Sequence, residues 1–470
     1  MAASGSDLPD GVPVDLSDVP WSPCRRRHVG RVARPYPDNV HGLPARVLVV
    51  GLLRSGRAAV WALRSVGVEP VGYDADTGLD ARDLGADATL GTWDNALLDG
   101  VGLVVKSPGV PGEAPPVVAA RSRGIPVISE IELGVRMLQN PFVGVTGTNG
   151  KTTTTALLGV ILKAGGLPVE AVGNIGTALT SLVGAVDPDA WIVCELSSFQ
   201  LEDVETIRPR VAVLTNLESD HLDRHGSFDA YAALKLRLFE RQQQEDVAVV
   251  PRGFAALPGN ARRVEFAADD SLPAEPRIRG AHNRENAAAA TAAARAIGVP
   301  DEAIARALET FPGVEHRIEE LGTLDGVLYV NDSKATNAAA ALRALATFRG
   351  RRKHVILGGR GKGEPYQSLA AAFEPGDRGY LIGEAADELA RALCAAGVAH
   401  DHTKTLERGL AAATAAASPG DLVLLSPACA SYDQFRDFEH RGQEFRRLVQ
   451  KLPGWGRSGD QSGVSSSNGS

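Results

Sequence analysis

Residues 142–153 read FVGVTGTNGKTT, and this stretch decides how the middle of the chain folds. Its first four residues predict a strand that is buried on both faces, and a helix is expected to begin at Lys151. A strand followed by a glycine turn and a helix N-terminus offers backbone N–H donors and a positive dipole end to phosphate. The stretch therefore predicts a nucleotide phosphate loop, although Val145 stands where the strict pattern has glycine.

The residues of this turn have separate expected tasks. Lys151 is expected to reach the β- and γ-phosphates of ATP, and the Thr152 hydroxyl is expected to ligate Mg²⁺. The alternative, a Gly-Lys-Thr turn without a ligand, is disfavoured by the strand before it and the helix after it. The predicted ATP-binding residues of the turn are Gly147, Thr148, Asn149, Gly150, Lys151, Thr152 and Thr153.

Strand–turn–helix units of this kind start near residues 46, 142 and 327. Between them, short β-branched runs alternate with Ala/Leu-rich stretches, a pattern typical of doubly wound α/β sheets. We therefore predict three doubly wound α/β domains: a Rossmann-like N-terminal substrate domain, a central P-loop ATPase domain and a Rossmann-like C-terminal domain. The expected boundaries are 44–138, 139–314 and 315–452, with a disordered extension at 1–43 and a disordered tail at 453–470.

The composition narrows the function classes. The chain has 470 residues, 44% of them apolar, and its formal net charge of -8 gives no general attraction to nucleic acid or anionic lipid. No apolar run approaches the ~18 residues that span a bilayer. The four cysteines form no CxxC pair, which disfavours a disulfide framework or a zinc site. We predict a cytoplasmic, monomeric enzyme for small molecules that binds neither nucleic acid nor membrane.

A second glycine turn, GLLRSG at 51–56, follows the predicted strand at 46–51. It resembles the dinucleotide fingerprint G-x-G-x-x-G, with Leu53 in place of the glycine that lets a pyrophosphate approach the backbone. Asp74 ends the next strand, where the fingerprint has its ribose-binding acid. Three interpretations stay open: a turn without a ligand, an NAD site, and a site for another nucleotide-linked ligand. The missing glycine weighs against NAD.

Two further strands end near candidate metal ligands. One strand ends in Glu195, and the strand predicted over 211–216 is followed by His221. In an open parallel sheet ligands bind beyond the carboxyl ends of the strands, so both side chains should lie at the edge that carries the phosphate loop. A carboxylate and an imidazole there could hold Mg²⁺, although a histidine ligand is unusual for this cation. For Glu195 alone, an ordinary ion pair is the alternative.

Several motifs together resemble the central ATPase domain of the Mur ligase family. They are GTNGKT at 147–152, ELSSFQ at 195–200, DHLD at 220–223 and GAHNREN at 280–286. The resemblance implies that Asn283 and Asn286 lie near the adenine of ATP. It also implies that Glu195 and His221 are magnesium ligands.

The same resemblance gives Lys235 a role that its position in a predicted helix over 228–241 does not indicate. In the family the matching lysine is carbamylated, and this makes chemical sense because an ammonium repels Mg²⁺ whereas a carbamate is an anionic oxygen ligand. The implied metal site is therefore Thr152, Glu195, His221 and carbamylated Lys235.

The C-terminal third resembles the family members that add D-glutamate. The similar stretches are GGRGKG at 358–363 and LSPACASYDQFRDFEHRGQEF at 425–445. By resemblance, Arg317 contacts ATP phosphate, and Asp332 contacts the ribose, with Lys334 in the same site. The residues implied for the incoming glutamate are Thr336, Lys362, Ser431 and Phe438. Lys362 supplies a cation for a carboxylate, and the hydroxyl and backbone N–H of Ser431 can complete the binding of that carboxylate.

The resemblance thus implies an ATP-dependent amide ligase of peptidoglycan synthesis, which would join D-glutamate to UDP-N-acetylmuramoyl-L-alanine through an acyl phosphate. The implied catalytic residues are Lys151, Glu195, His221, Lys235 and Arg317. The candidates for holding the UDP-linked substrate are Arg54, Ser55, Asp74, Ser107, Asn174 and His221. The alternatives are another ligase of the same fold, such as a folylpolyglutamate synthase, a P-loop ATPase coupled to movement or binding, and an NAD-dependent dehydrogenase.

Overall fold

Three β-sheets, one for each strand–turn–helix unit, organise the chain in a computed structural model. The model describes residues 42–456, apart from 175, 219, 221, 256, 362 and 364 and the side chains of 222 and 223. The extension and tail predicted at the two ends lie almost entirely outside these residues. Sheets with helices on both faces bury their strands, which explains why the central strands are nearly continuous apolar runs.

The first sheet is fully parallel, in the order β3-β2-β1-β4-β5. The turn after β1 leads into α1, so that the second glycine turn of the sequence sits at the carboxyl ends of the central strands. The strands are β1 (Arg46–Val50), β2 (Glu69–Asp74), β3 (Ala88–Leu90), β4 (Leu103–Lys106) and β5 (Val127–Ser129). The helices are α1 (Arg54–Ser65), α2 (Pro115–Ser122) and α3 (Glu130–Met137).

The second sheet is also parallel, in the order β11-β10-β9-β6-β8-β7. Because β6 lies between β8 and β9, the segments that follow these three strands emerge at one edge of the sheet. The strands are β6 (Phe142–Thr146), β7 (Val169–Gly173), β8 (Trp191–Glu195), β9 (Val211–Leu214), β10 (Val247–Pro251) and β11 (Arg262–Phe266). The helices are α4 (Lys151–Ala164), α5 (Leu222–His225), α6 (Phe228–Leu236), α7 (Ala281–Ile297) and α8 (Asp301–Thr310).

The third sheet is mixed, in the order β12-β13-β17-β14-β15-β16. Its strands are parallel except for β12, which pairs antiparallel with β13 and departs from the predicted all-parallel sheet. The strands are β12 (Glu319–Leu324), β13 (Val327–Asn331), β14 (Lys353–Gly358), β15 (Arg378–Ile382), β16 (Ala399–Lys404) and β17 (Leu422–Leu425). The helices are α9 (Ala338–Thr347), α10 (Gln367–Ala371), α11 (Ala386–Ala395), α12 (Leu406–Ala416) and α13 (Phe438–Gln450).

Two predicted boundaries are wrong. The helix predicted over 228–241 ends as an α-helix at Leu236 and continues as one 3₁₀ turn, Arg237–Phe239. The predicted tail from 453 includes Trp455, whose ring meets Tyr329 edge-on at a centroid distance of 5.4 Å. The contact of this half-buried ring with Tyr329 extends the folded structure beyond residue 452.

The chain divides into two compact units. Unit 1 contains the first two sheets and consists of Met1–Arg277 and His282–Phe311, as far as these ranges are described. Unit 2 contains the third sheet and consists of Ile278–Ala281 and Pro312–Ser470, again as far as described. In the described part of the chain, every helix is too short or too polar to cross a membrane.

Candidate active site

The turn between β6 and α4 requires glycine at two positions. Gly147 and Gly150 have φ angles of 145° and 81°, which side-chain-bearing residues rarely adopt. A Cβ atom at Gly147 would lie 2.0 Å from the Thr215 hydroxyl, and one at Gly150 would lie 2.0 Å from the Asn286 side-chain oxygen. The turn is therefore packed tightly between β9 and α7.

Asn216, which follows β9, holds the apex of this turn. Its carbonyl accepts from the Thr148 N–H at 3.0 Å, and its side-chain oxygen accepts from the Asn149 N–H at 2.9 Å. Its side-chain amide donates in turn to the Asn149 carbonyl at 3.2 Å. Asn216 was not among the predicted site residues, although its place after a strand adjacent to β6 is a usable signal.

The cation and hydroxyls of the turn are close together. Lys151 Nζ donates to the Thr148 carbonyl at 2.9 Å, which folds the lysine back over the turn. The Thr148 hydroxyl donates to the Glu218 carbonyl at 3.1 Å and accepts from the Tyr231 hydroxyl at 3.1 Å. The Thr148 side chain thus shapes the loop, a role that its prediction as an ATP-binding residue did not include. Thr152 is buried in the first turn of α4, next to Lys151.

Lys235 lies beneath the turn and is only 1% exposed. Its Nζ donates to the Gly147 carbonyl at 2.8 Å and stands 4.6 Å from the centre of the Tyr231 ring. Burial, and secondarily the positive charge of Lys151, lower the pKa of Lys235 to about 6, against the opposing effect of Asp220 and Glu195. At neutral pH the amine is therefore largely uncharged, and an uncharged amine is a nucleophile.

The end of β8 places a buried carboxylate at the same edge. Glu195 is 1% exposed, and its side chain accepts from the Asn174 side-chain amide at 2.9 Å. The Asn174 N–H also donates to the Glu195 carbonyl at 2.9 Å, so β7 and β8 end together. His221 lies outside the described residues. Glu195 and the Thr152 hydroxyl offer the oxygen atoms that Mg²⁺ prefers, and a carbamate on Lys235 would add another.

Among the residues that the structure describes, His, Cys, Asp and Glu side chains alone form no group of three or more that could hold a metal. A complete magnesium site here would need ligands of other kinds, such as the Thr152 hydroxyl, a modified Lys235 or water. This donor set fits a cation that keeps several waters when it binds to proteins.

Two asparagines at the start of α7 lie beside the phosphate turn. Asn283 and Asn286 are both buried, and the Asn286 amide donates to the Asn283 side-chain oxygen at 3.4 Å. A Cβ atom on Gly150 would clash with Asn286, which shows how closely this side chain approaches the turn. The structure thus brings Asn286 to the loop that the motif assigns to phosphate, with Asn283 bonded to Asn286.

The glycine turn after β1 is held by side chains from neighbouring strands. The Asp74 carboxylate accepts from the Leu52 N–H at 2.6 Å and from the Asp76 N–H at 3.0 Å. The Ser107 hydroxyl donates to the Gly51 carbonyl at 2.7 Å. Arg54 is exposed at the start of α1, and Ser55 follows it half-buried. Of the predicted substrate residues, Asp74 and Ser107 are thus engaged with the backbone of the turn.

In unit 2, Asp332 is buried where β13 ends. Its carboxylate accepts from the Ser426 hydroxyl at 2.8 Å and from the Ile318 N–H at 3.1 Å. Burial raises the pKa of Asp332 to about 7, although Ser426 and the charge of Arg317 oppose this change. Arg317 and Asp332 are therefore electrostatic neighbours, as expected for two residues of one site.

The segments predicted to hold an amino acid meet around Arg441. This guanidinium is fully buried and donates to the Ser333 carbonyl at 2.8 Å and to the Cys429 carbonyl at 3.1 Å. It thereby joins the turn after β13, which leads to Thr336, to the turn that carries Ser431. Arg441 was not among the predicted site residues, because a buried arginine and an exposed one look alike in a helical pattern.

Two more of the predicted unit 2 residues lie close to each other. Lys334 Nζ stands 5.5 Å from the centre of the Phe438 ring, and the Phe438 carbonyl accepts from the Ser333 hydroxyl at 2.8 Å. Ser431 is buried and Thr336 is half-buried. Lys362 lies outside the described residues.

A phosphate turn beside a buried carboxylate and a buried lysine defines a P-loop nucleotide-dependent enzyme. The models of the Mur ligase middle domain and of the Mur ligase glutamate ligase domain match residues 145–256 and 316–429. The chain belongs to the Mur ligase family.

Curated relatives align over nearly their whole length. The chain is 39% identical over 444 residues to the UDP-N-acetylmuramoylalanine–D-glutamate ligase of Koribacter versatilis, covering 87% of this chain and 97% of the relative. It is 43% identical over 452 residues to the enzyme of the same name from Anaeromyxobacter dehalogenans, covering 86% and 97%.

A solved structure shows the same fold at lower identity. The UDP-N-acetylmuramate-alanine ligase MurC of Thermotoga maritima has a TM-score of 0.58 at 19% identity, covering 86% of this chain and 99% of that one. This likeness confirms the predicted α/β architecture.

Proposed function

We propose that the chain is an ADP-forming amide ligase that joins D-glutamate to UDP-N-acetylmuramoyl-L-alanine in the synthesis of peptidoglycan. The observation that carries the proposal is its match to ligases of that name along almost their whole length, with the phosphate turn and the buried Lys235 in place. The proposed partners are small molecules, and the proposed setting is a monomer in the cytoplasm, where ATP is available.

The first step forms an acyl phosphate. The carboxylate of the alanyl group attacks the γ-phosphorus of ATP, the bond to the β-phosphate oxygen breaks, and ADP leaves. Lys151 and Arg317 offset the negative charge on the transferring phosphoryl group, and little else is needed because such reactions depend on alignment and charge. For Lys151 this requires exchanging the Thr148 carbonyl for a phosphate oxygen.

We assign Mg²⁺ binding to Thr152, Glu195, His221 and a carbamate on Lys235. Bound there, the ion would neutralise phosphate charge and orient the reacting oxygens. Support for the carbamate comes from the lowered pKa of Lys235, since only an uncharged amine adds to carbon dioxide. Carbamylation would also change the Lys235 amine, which donates to the Gly147 carbonyl, into an anionic metal ligand.

The second step forms the amide bond. The amine of D-glutamate attacks the acyl carbonyl, a tetrahedral intermediate collapses, and inorganic phosphate leaves. Thr336, Lys362, Ser431 and Phe438 hold the incoming amino acid in this proposal. The buried Arg441 supports the assignment, because it connects the turns that lead to Thr336 and Ser431.

The uridine-linked substrate is assigned to unit 1. Arg54, Ser55, Asp74 and Ser107 stand at or beside the turn after β1, and Asn174 lies where β7 ends in the second sheet. His221 is assigned from its motif alone. Asp74 and Ser107 would act mainly by fixing the backbone of the turn, given their contacts with Leu52 and Gly51. The exposed Arg54 lies within the turn at 51–56 and would supply a cation for the diphosphate of this substrate.

An ADP-release assay with paired substrates tests the proposal. ADP should form only when UDP-N-acetylmuramoyl-L-alanine and D-glutamate are both present, and L-alanine or L-glutamate should not replace D-glutamate. Release with a folate acceptor would instead indicate a folylpolyglutamate synthase. Release without any acceptor would indicate a P-loop ATPase with another coupling.

A further inference from the structure

The loop that follows β4 is tied to the second sheet by a buried cluster of charges. Lys106 is fully buried at the end of β4, and its Nζ lies 2.7 Å from Glu202 and 3.0 Å from Asp203. Lys106 also donates to the Val110 carbonyl at 3.3 Å. The two acids follow the ELSSFQ motif, so this cluster joins the first sheet of unit 1 to the second.

Arg224 enters the same cluster from the other side. Its Nη2 donates to the Glu202 carboxylate at 3.0 and 3.2 Å and to the Val110 carbonyl at 3.3 Å. Its guanidinium also lies over the Phe199 ring, 4.9 Å from the centroid. One planar side chain therefore contacts the loop after β4, the ELSSFQ motif and the acidic pair.

The residues that Arg224 contacts lie close in sequence to predicted site residues. Val110 lies three residues after Ser107, and Phe199 lies four residues after Glu195. Arg224 itself stands three residues after His221. The arginine thus connects a segment assigned to the UDP-linked substrate with two segments assigned to metal.

We propose that Arg224 is a positioning residue that holds the loop at 107–111, and with it the UDP-linked substrate, in register with the phosphate and metal site. This rests on the proposed function. Phosphoryl transfer to a bound carboxylate loses much of its rate when the reacting atoms are misplaced by about 1 Å. A fixed link between the two segments would prevent such a displacement.

The chemistry of the site favours arginine over lysine. A guanidinium can bind a carboxylate with several N–H groups and stack on a ring at the same time, whereas an ammonium is a compact point charge. Arg237 fixes the acidic segment from below by donating to the carbonyls of Leu201, Glu202 and Val204. Arg224 therefore binds an acidic segment whose backbone Arg237 already holds in place.

Arg121 is a matched control in the same interface. It donates to the Gly112 carbonyl at 3.1 Å and to Asp203 at 2.7 Å, so it too links the loop after β4 with the acidic pair. Its side chain is 49% exposed, compared with 20% for Arg224, and it makes no stacking contact among those described. Exposed pairs of this kind contribute little.

The test compares three variants of the full chain with the wild type: Arg224→Met, Arg224→Lys and Arg121→Met. Steady-state kinetics would give kcat and the KM values for ATP and for UDP-N-acetylmuramoyl-L-alanine, and thermal unfolding would give Tm. We expect Arg224→Met to raise the KM for the UDP-linked substrate at least about tenfold, equivalent to ~1.4 kcal/mol, and to lower kcat, with the KM for ATP unchanged. Arg224→Lys should recover part of this loss, and Arg121→Met should resemble the wild type.

The outcomes separate this inference from the proposed function. An inactive wild type with these substrates would reject the proposed function and the role of Arg224 with it. If the wild type is active, two results with Arg224→Met would reject the positioning role and leave the proposed function standing. One is a change in Tm alone, and the other is a KM for ATP raised as much as that for the UDP-linked substrate. If Arg224→Met fails to fold, Arg224→Lys decides: an intermediate KM supports the role, and wild-type kinetics reject it.

Discussion

The turn after β1 and the turn after β6 both pass from a buried parallel strand into a helix through glycines, yet their surroundings differ. In the first turn, Asp74 and Ser107 bind the backbone of the turn itself. In the second, Asn216 and Lys235 bind the backbone, and the turn also carries a cation, Lys151. Similar backbone outlines therefore serve different tasks.

Particular glycines of the two turns meet different neighbours. Gly56 packs its Cα against the backbone of its own turn, since a Cβ atom there would lie 1.7 Å from the Gly51 carbonyl. Gly147 and Gly150 instead make room for the side chains of Thr215 and Asn286, and Gly51 of the first turn likewise lies against the side chains of Ser107 and Val110. Gly56 thus serves helix–strand packing, whereas Gly147 and Gly150 leave room for the side chains that surround the phosphate turn. Substitutions in the two turns should therefore fail in different ways.

The largest expected effect is at Lys151. In the proposed mechanism Lys151 neutralises charge on the transferring phosphoryl group, so Lys151→Met should reduce kcat/KM by about 10²–10³-fold, as for removal of one electrostatic contact in a transition state. The fold should survive, because the lysine lies at the start of α4 and its Nζ donates to a carbonyl of the same turn. ADP release measures the effect. Lys163→Met, in the last turn of the same helix, is the control and should keep wild-type kinetics.

A second prediction concerns Lys235, which supports the phosphate turn from beneath. Lys235→Ala should lose about 10²-fold in activity if one metal ligand is removed, and short carboxylic acids should restore part of it by supplying an oxygen ligand. ADP release at increasing acetate or formate concentration measures the rescue. Full activity of the unrescued variant would rule out a carbamate role.

The pH dependence of this lysine is a separate prediction. Because the pKa of Lys235 is lowered to about 6, its amine is uncharged above that pH and charged below it. Carbamate formation should therefore be present at pH 7–8 and decline as the pH falls through about 6. Carbon NMR of the protein in ¹³C-labelled bicarbonate measures it. A carbamate signal in Lys235→Ala of equal size would assign the modification elsewhere.

Sequence patterns predicted several central strands and missed edge strands. β8 and β13 are apolar runs, and the structure ends β8 at Glu195 and starts β13 at Val327, as predicted. β11 and β16 are edge strands with exposed residues, so their sequences RRVEF and AHDHTK lack both an apolar run and a clear alternation. The antiparallel β12 was missed for a similar reason, since its partly exposed sequence EELGTL contains only two apolar residues.

Residues of the candidate site likewise differ in how well the sequence predicted them. Motif residues such as Lys151 and Glu195 could be predicted because strand ends and helix starts in a parallel sheet fix where they lie. Supporting residues could not, because Asn216, Tyr231 and Arg441 act through contacts between segments far apart in sequence. Tyr231 had one usable signal, since it precedes Lys235 by one helical turn.

A fourth prediction compares Gly56 and Gly150 by stability. Gly56→Ala places a methyl group against a backbone oxygen that cannot move aside, so it should destabilise the protein by about 1–3 kcal/mol, seen as a lower Tm. Gly150→Ala meets the end of the Asn286 side chain instead and should raise the KM for ATP with a smaller change in Tm. If both variants lost stability equally and kept the same KM for ATP, the distinction between the two turns would be wrong.

The smallest expected effect is at Leu53, the residue that replaces the second glycine of the dinucleotide fingerprint. Its side chain is 65% exposed and sits at the N-cap of α1 with φ of -75°, where it neither fills the core nor requires a glycine backbone. Glycine is the better N-cap residue of the two, because it leaves the first helical N–H groups open to water. Leu53→Gly should therefore change the free energy of unfolding by no more than about 0.5 kcal/mol and leave the KM for ATP unaltered.

The Leu53→Gly substitution should not create an NAD site, because Asp74, the acid that would bind a ribose, already accepts from the Leu52 and Asp76 N–H groups. Calorimetric titration of the variant with NAD measures this, with the wild type as control. Tight NAD binding gained by the variant would show that a dinucleotide site is latent in the first turn, and the inference that Asp74 is committed to backbone N–H groups would then fail.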